Sequence, residues 1–507
     1  MSSSSMQHLL AMVLYMAAVI LIGFLFSRRA NKDAESFFLG GRSLGPWVTA
    51  FSAEASDMSG YLLMGLPGLA YWTGLADVGW TAIGLAAGTY LNFLFVSRRL
   101  RRYSVKVNAF TIPDFFSLRF REKQPILLTV SSFIILIFFS VYAAQCLSAC
   151  GKLFSHLFGL PYEAMMAAAA LFVLLYTFLG GFLAESASDF MQAVVMITVL
   201  VLILVLSVGA AGGMGAVIAN ARSYDGFFSL FRTASPSATE VNAFGASSPY
   251  GFLTICSTLS WGLGYFGMPQ VLLRFMGIRS EEELGRSRRV AIIWVVISMA
   301  AAIMIGIVGR SVAGLDYLSN SDAENVFIDA ATHFLPPVLA GFACAGVLAA
   351  AISSSDSYLL IAASAVSQNL YRSVFKKDAT DKQVMWCSRI TLVAITLIAM
   401  VIAWNSNSTV FGITSFAWAG FGAAFGPLVL FSLFWKRTNW YGAIAGMVSG
   451  GAMVFIWKLL VKPLGGVFGI YELLPAFIIS CIMIVAVSLA TGKPSKEIEA
   501  EFDSVAK

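Results

Sequence analysis

Charge is what this sequence most lacks. Of 507 residues only 12% are Asp, Glu, Lys or Arg, while 58% are hydrophobic. Soluble domains carry about 25% charged residues, so half of the usual charge is missing. The length alone would suggest about three soluble domains, yet no stretch has enough polar residues to clothe one. Histidine is scarcer still: His8, His156 and His333 are scattered, without metal-ligand spacing. The six cysteines (Cys146, Cys150, Cys256, Cys344, Cys387, Cys481) form no CxxC pair and lie in or beside apolar segments. That excludes a disulfide-framed scaffold and suits small packing residues. The composition likewise excludes a disordered or collagen-like chain. No Walker, zinc or Ser-His-Asp pattern and no nucleophile–base pair is present, so the chain does not read as an enzyme or an ATP-driven pump.

What is there is apolar sequence in runs of bilayer length. The first, Leu9–Phe26, is longer than a signal-peptide core, and positive charge (Arg28, Arg29) follows it instead of preceding it. It reads as an uncleaved first span. At about 20 residues per helix, roughly thirteen spans are expected, near 8–27, 45–72, 75–97, 125–148, 163–183, 188–211, 250–275, 290–312, 333–368, 385–404, 409–435, 440–461 and 470–490. The reading is an all-α polytopic membrane protein with one transporter domain over 1–490 and a short cytoplasmic tail, 491–507. The tail is expected to be an exposed helix or coil.

Charge placement orients the chain. With the N-terminus outside and the C-terminus cytoplasmic, the inner loops hold all but six of the 33 lysines and arginines, as the positive-inside rule requires. The inner clusters are Arg28/Arg29/Lys32/Arg42, Arg98–Lys123, Arg274–Arg289, Arg372–Arg389 and Lys436/Arg437. The outer side keeps Lys152, Arg222, Arg232, Arg310, Lys458 and Lys462, with an acidic group of Asp316, Asp322, Glu324 and Asp329. The net charge of +6 is therefore a matter of orientation in the lipid bilayer, not of nucleic acid. Gly84xxxGly88 and Gly422xxxGly426 are read as close helix packing, and Lys458 as a snorkelling helix end.

Acids inside apolar spans cost several kcal/mol each and mark function by default. The second span carries Glu54 and Asp57, three apart and so on one helix face. Ser56, Ser59, Gly60, Gly65 and Pro67 follow them and make an uninterrupted helix unfavourable. A break near Met58–Gly60 would free carbonyl oxygens suited to Na⁺. The seventh span, 257-STLSWGLGYFGMPQ-270, is broken in the same manner by Gly262, Gly264, Gly267 and Pro269. Its Trp261 and Tyr265 share a face and could wall an organic ligand or simply pack. Its literal GxGxxG has no strand before it and carries no nucleotide reading. Two interrupted spans five apart point to an inverted-repeat transporter with a midplane site, its repeats spanning 45–211 and 250–435. Helices 8–27, 440–461 and 470–490 would be peripheral. The ninth span adds 350-AAISSSDSYLL-360, with four serines and Asp356, whose oxygens suit Na⁺ or helix back-bonding. Asp189, in 185-ESASDFMQ-192, reads either as an intramembrane acid or as a helix N-terminal charge.

These motifs resemble the solute:sodium symporter family, and within it the proline-transporting branch. The resemblance runs through 40-GGRSLGPWVTAFSAEASDMSGYLLMGLPG-68, 176-YTFLGGFLA-184, 261-WGLGYFGMPQVLLRFM-276, 389-RITLVAI-395 and 418-WAGFGAAFGPLVLFSLFW-435. It implies a LeuT-like, thirteen-helix protein with a five-plus-five inverted repeat in a bacterial cytoplasmic (inner) membrane. It also implies alternating access, with Na⁺ as coupling ion, no organic cofactor, and a small amino acid, L-proline, as solute. Residue by residue, it places sodium on the carbonyls of Ala55, Met58 and Ala350 and the hydroxyls of Ser353 and Ser354, with Asp57 and Ser59 close by. Asp189 matches a second-sodium position of some members, and Asp356 falls in the ninth-span motif. Solute contacts fall on Tyr142, Trp261, Tyr265 and Pro269; Arg42 belongs to the inner end of the second span, with Glu54 and Gly60 in its coupling segment. The chain departs from the branch at Glu54, Tyr61 and Asp356, where glycine, tryptophan and a hydroxyl residue are expected. Extra acids there would raise cation stoichiometry, carry a proton or favour a more cationic solute. Symport of another small organic solute, or a non-transporting solute sensor of the same fold, are the alternative readings.

Overall fold

The computed structural model describes residues 3–30, 39–179, 182–312 and 314–506. Lys32 of the first basic cluster and Gly180 and Gly181 of one family motif lie outside the described residues. The first half runs α1 (Ser3–Ala30), α2 (Pro46–Gly60), α3 (Leu66–Thr73), α4 (Leu75–Leu91), α5 (Ser97–Lys106), α6 (Ile112–Arg119), α7 (Ile126–Phe158), α8 (Tyr162–Leu179), α9 (Phe182–Ala210) and α10 (Met214–Ser223). A short antiparallel pair follows, β1 (Arg232–Pro236) and β2 (Phe244–Pro249). The second half holds α11 (Phe252–Leu259), α12 (Pro269–Gly277), α13 (Leu284–Gly309), α14 (Asn320–Ala323), α15 (Val326–Phe334), α16 (Pro337–Ser364), α17 (Asp381–Ile402), α18 (Val410–Phe434), α19 (Trp440–Ile456), α20 (Leu473–Ala490) and α21 (Lys496–Ala506). Among the described residues, ten helices are long and apolar enough to cross a membrane, and α8 is apolar but shorter.

Both interrupted spans are found where glycine, serine and proline predict them. Between α2 and α3 the chain leaves helical geometry at Ser59 (φ 49, ψ −166) and passes through a wide turn, Tyr61–Gly65. Between α11 and α12 it tightens into a 3₁₀ segment, Ser260–Gly267, then extends at Met268 before Pro269 opens the next helix. Proline suits a first helical position because it has no amide hydrogen to leave unpaired. The α4 glycines serve close approach: a Cβ on Gly88 would fall 2.3 Å from the Gly262 carbonyl oxygen.

The interior is built round α16 and α18, both mostly buried, while α1, α9, α17, α19 and α20 turn broad apolar faces outward. That outward apolar surface is what a lipid-facing shell requires.

Several expectations are corrected. The longest polar connection between spans, 212–249, contains α10 and the β1–β2 hairpin, so the chain, expected to be all-α, is not wholly helical. Alternation there is too short to stand out from a Ser/Gly-rich loop. The span expected from 188 begins at Phe182, so Asp189 lies well inside α9 and is no N-terminal charge. The tail is not merely exposed: α21 buries Phe502 and Val505, and pairs Glu497 and Glu501 with Arg121 and Asp503 with Lys436. Lys458 does not simply snorkel, because it and Lys462 both approach the buried Glu472, at 3.4 and 3.1 Å.

Candidate functional site

The break at Ser59 brings the end of α2 against α16. Ser353 donates its hydroxyl to the Ala55 carbonyl at 2.9 Å, and Ser354 approaches the same oxygen at 3.3 Å. Ser353 also reaches the Ala350 carbonyl at 3.2 Å. Two carbonyls and two hydroxyls thus converge, all buried. One helical turn on, the Tyr61 amide folds back on the Met58 and Ser59 carbonyls. An all-oxygen set with no amine or imidazole suits a hard cation.

Asp57, 4% exposed, leans from α2 toward α12, where Gln270 Nε2 donates to Oδ1 at 3.4 Å. It lies within electrostatic range of Tyr61, Tyr142, Tyr265 and Tyr358. Glu54, 1% exposed, sits one turn earlier on the same face.

Beside these acids stands an aromatic wall. Trp261 stacks on Tyr61 (5.7 Å between ring centroids) and on Tyr471 (5.0 Å), and it meets Phe411 at 5.4 Å. Tyr265 meets the edge of Trp418, whose indole N–H donates to the Trp261 carbonyl at 2.8 Å. Tyr142 stacks on Tyr358 at 4.4 Å. Pro269 starts α12 directly below the 3₁₀ segment. Rigid rings around paired carboxylates can hold a small molecule with an apolar body and a cationic end.

A second polar cluster lies at the next contacts of α2 and α16. The buried Arg274 of α12 bonds Glu185, Asp189 (3.1 Å), Ser52 (3.0 Å) and Ser357 (2.9 Å). Ser52 in turn donates to Asp189 at 2.7 Å, and Ser357 bonds Glu185. Asp356 is buried nearby, in electrostatic range of Glu185 and Arg274. The structure therefore groups Asp189 and Asp356 with Arg274, apart from the Ala55–Ser353 oxygens. Arg274 corrects the sequence reading, which counted it among the loop cations.

Both ends of the broken helices are fastened. At one end Arg42 donates to the Met276 and Ala109 carbonyls (2.9 and 2.7 Å), and Leu44 and Ile278 form a short parallel bridge. At the other, the buried Glu324, so close to α3 that a Cβ on Gly68 would fall 2.7 Å from its Cα, accepts the Val410 and Phe411 amides at 2.9 and 3.1 Å and pairs with Lys152 at 2.6 Å. Arg310 lies over the Tyr71 ring at 3.9 Å. Lys152, Arg310 and Glu324, expected among the outer-loop charges, are thus buried. Gln270, Glu185 and Ser52 were not singled out from the sequence, and Ser357 was read only as one of the four serines of the ninth span. The one available signal was the i, i+4 acid pair Glu185/Asp189 in an apolar context.

Helices broken partway along their length, an oxygen set for a hard cation and an aromatic wall together fit a cation-coupled membrane transporter. Residues 37–450 match the sodium:solute symporter family, and the chain belongs to that family. It is 38% identical over 493 residues to the osmoregulated proline transporter of Bacillus subtilis (strain 168), covering 97% of this chain and 96% of that protein. It is 37% identical over 506 residues to the sodium/proline symporter of Staphylococcus aureus (strain USA300), covering 98% and 96%. Among solved structures, a Na⁺-coupled sialic acid symporter in a substrate-bound outward-open state superposes with TM-score 0.78 at 19% identity, covering 97% of this chain and 99% of that one. A nucleobase-cation-symport-1 family transporter in a closed conformation gives 0.56 at 13% identity, covering 92% and 97%.

Proposed function

We propose that this chain is a Na⁺-coupled secondary active symporter of the bacterial inner membrane that imports L-proline by alternating access, and that it is no enzyme. The observation that carries this is the convergence of the Ser353 and Ser354 hydroxyls on the Ala55 carbonyl beside the Ser59 break. In this reading Ala55, Met58, Ala350, Ser353 and Ser354 take the sodium ion, with Asp57 and Ser59 adjacent. The ion then holds the broken α2 against α16. Trp261, Tyr265, Tyr142 and Pro269 contact the solute, whose ring packs on the aromatic wall. Gly60 packs closely enough against α7 for a Cβ to fall 2.6 Å from Ala149, so cation-driven ordering of α2 is passed to that helix.

The two relatives named for proline, each matching nearly full length, support that solute. The two interrupted helix pairs support a five-plus-five inverted repeat within thirteen spans, N-terminus outside and C-terminus inside. Asp189 and Asp356 belong to a coupling cluster in which Arg274 supplies the positive charge. Na⁺ binding favours one conformation only to the extent of its differential affinity for the two.

The test is uptake of labelled proline by proteoliposomes under an inward Na⁺ gradient, with a K⁺ gradient as control. Accumulation above equilibrium with Na⁺ alone is expected. Saturable uptake of another solute, with none of proline, would replace the substrate; binding without any counterflow would make the chain a sensor.

A further inference from the structure

Glu54 and Asp57 stand three residues apart in a medium that does not solvate charge, and among the described residues neither meets a lysine or arginine. The nearest cation along α12, Arg274, is already shared between Glu185 and Asp189. A single sodium between α2 and α16 offsets one of the two negative charges.

The groups on this side of α2 are rich in acceptors. Asn92 spends its amide N–H on the Tyr265 carbonyl at 2.9 Å, and Gln270 turns its own toward Asp57. Their amide oxygens, Asn92 Oδ1 and Gln270 Oε1, are left buried without a donor, as is Glu54 Oε2. Asn92 and Gln270 are fully buried and Glu54 is 1% exposed. The Tyr265 hydroxyl faces Thr89 and Asp57 and lies in electrostatic range of Glu54, and neither it nor Thr89 Oγ1 makes a well-formed hydrogen bond. Buried acceptors left without donors are costly, and a cation meets carboxylate, amide and hydroxyl oxygens at once.

We propose that Glu54 and Asp57, with the side-chain oxygens of Thr89, Tyr265 and Gln270, form a second monovalent-cation site on the α4/α12 side of the broken helix. The proposal rests on the sodium-coupled reading and deepens it. Its occupant is a second Na⁺ or the ammonium group of the solute, which present the same charge to the same oxygens.

Equilibrium binding of radiolabelled sodium to the purified protein without solute distinguishes the two. For a second Na⁺, Glu54→Gln binds one ion fewer per chain than the wild type. Glu54→Asp, which keeps the charge, retains the count with weaker affinity. For the solute's ammonium, Glu54→Gln keeps the sodium count but raises the half-saturation for proline about tenfold, a loss of ~1.4 kcal/mol. Unchanged count and unchanged proline half-saturation in Glu54→Gln overturn the site. A wild-type protein that binds no sodium at all overturns the symport reading itself, a separate result.

Discussion

Ser353 and Ala55, 298 positions apart in sequence, are joined by one hydrogen bond of 2.9 Å from a hydroxyl to a carbonyl. No long-range contact in the site does more to set its character, because it fixes two oxygens at the point where α2 stops being a regular helix. A cation entering there replaces that hydroxyl's donor role and draws on both oxygens at once.

Ser353→Ala should therefore raise the Na⁺ half-saturation for uptake at least about tenfold, ~1.4 kcal/mol, with the proline half-saturation at saturating Na⁺ little changed. Ser353→Thr should keep near-normal sodium dependence. Uptake titrated with Na⁺ in proteoliposomes checks both, and an unaltered Ser353→Ala curve removes this residue from the ion site.

Trp261→Ala should weaken proline binding while leaving sodium binding in place. Its ring faces Tyr61, Phe411 and Tyr471 but offers no side-chain oxygen to an ion. Losing such a ring costs an estimated ~3–5 kcal/mol where it is fully packed, so a thermal scan should accompany the binding titration. An unchanged proline half-saturation in a folded variant would place the solute elsewhere.

Glu324→Gln breaks a buried ion pair and weakens the cap on α18. Removing one partner of such a pair costs about 3–5 kcal/mol because the other charge is stranded. The melting temperature should fall, and adding Lys152→Met should restore much of it. If the double variant is no more stable than the single, the pair does not carry the clamp.

Gly264→Ala should fail to insert stably or should lose transport, since the new methyl would sit 2.0 Å from the Trp418 indole nitrogen. Gly465→Ala, where nothing lies within 4 Å but φ is +73, should cost only the backbone strain, on the order of 1 kcal/mol. Yields of monodisperse protein for the two variants separate crowding from backbone strain.

Much of this site was legible because its signals are composition against a background. Serines, glycines and acids stand out in apolar runs, so Ser59, Ser353 and Asp57 could be named without coordinates. Ser52 and Gln270 were not, since nothing in their local sequence distinguishes them until α2, α9 and α12 are brought together around Arg274. Lys152, Arg310 and Glu324 were misread for a related reason. Charge near a span end is assigned to a loop, whereas here each is drawn inward by a partner more than 80 residues away in sequence, as Val410 is from Glu324. The β1–β2 hairpin escaped notice because a register of a few residues leaves no period to detect.

The fastenings at the two ends of the broken helices have a consequence for how the cell's ion gradient is kept. Arg42 and Leu44 fasten one end while the Glu324–Lys152 pair fastens the other, within a single conformation. A carrier that never releases both fastenings at once gives the gradient no path to drain between cycles. Each fastening is a handful of hydrogen bonds, and releasing one takes no more free energy than an ion and a solute can supply by binding. Leak-tightness and turnover then follow from the same few contacts, provided that they are never undone together.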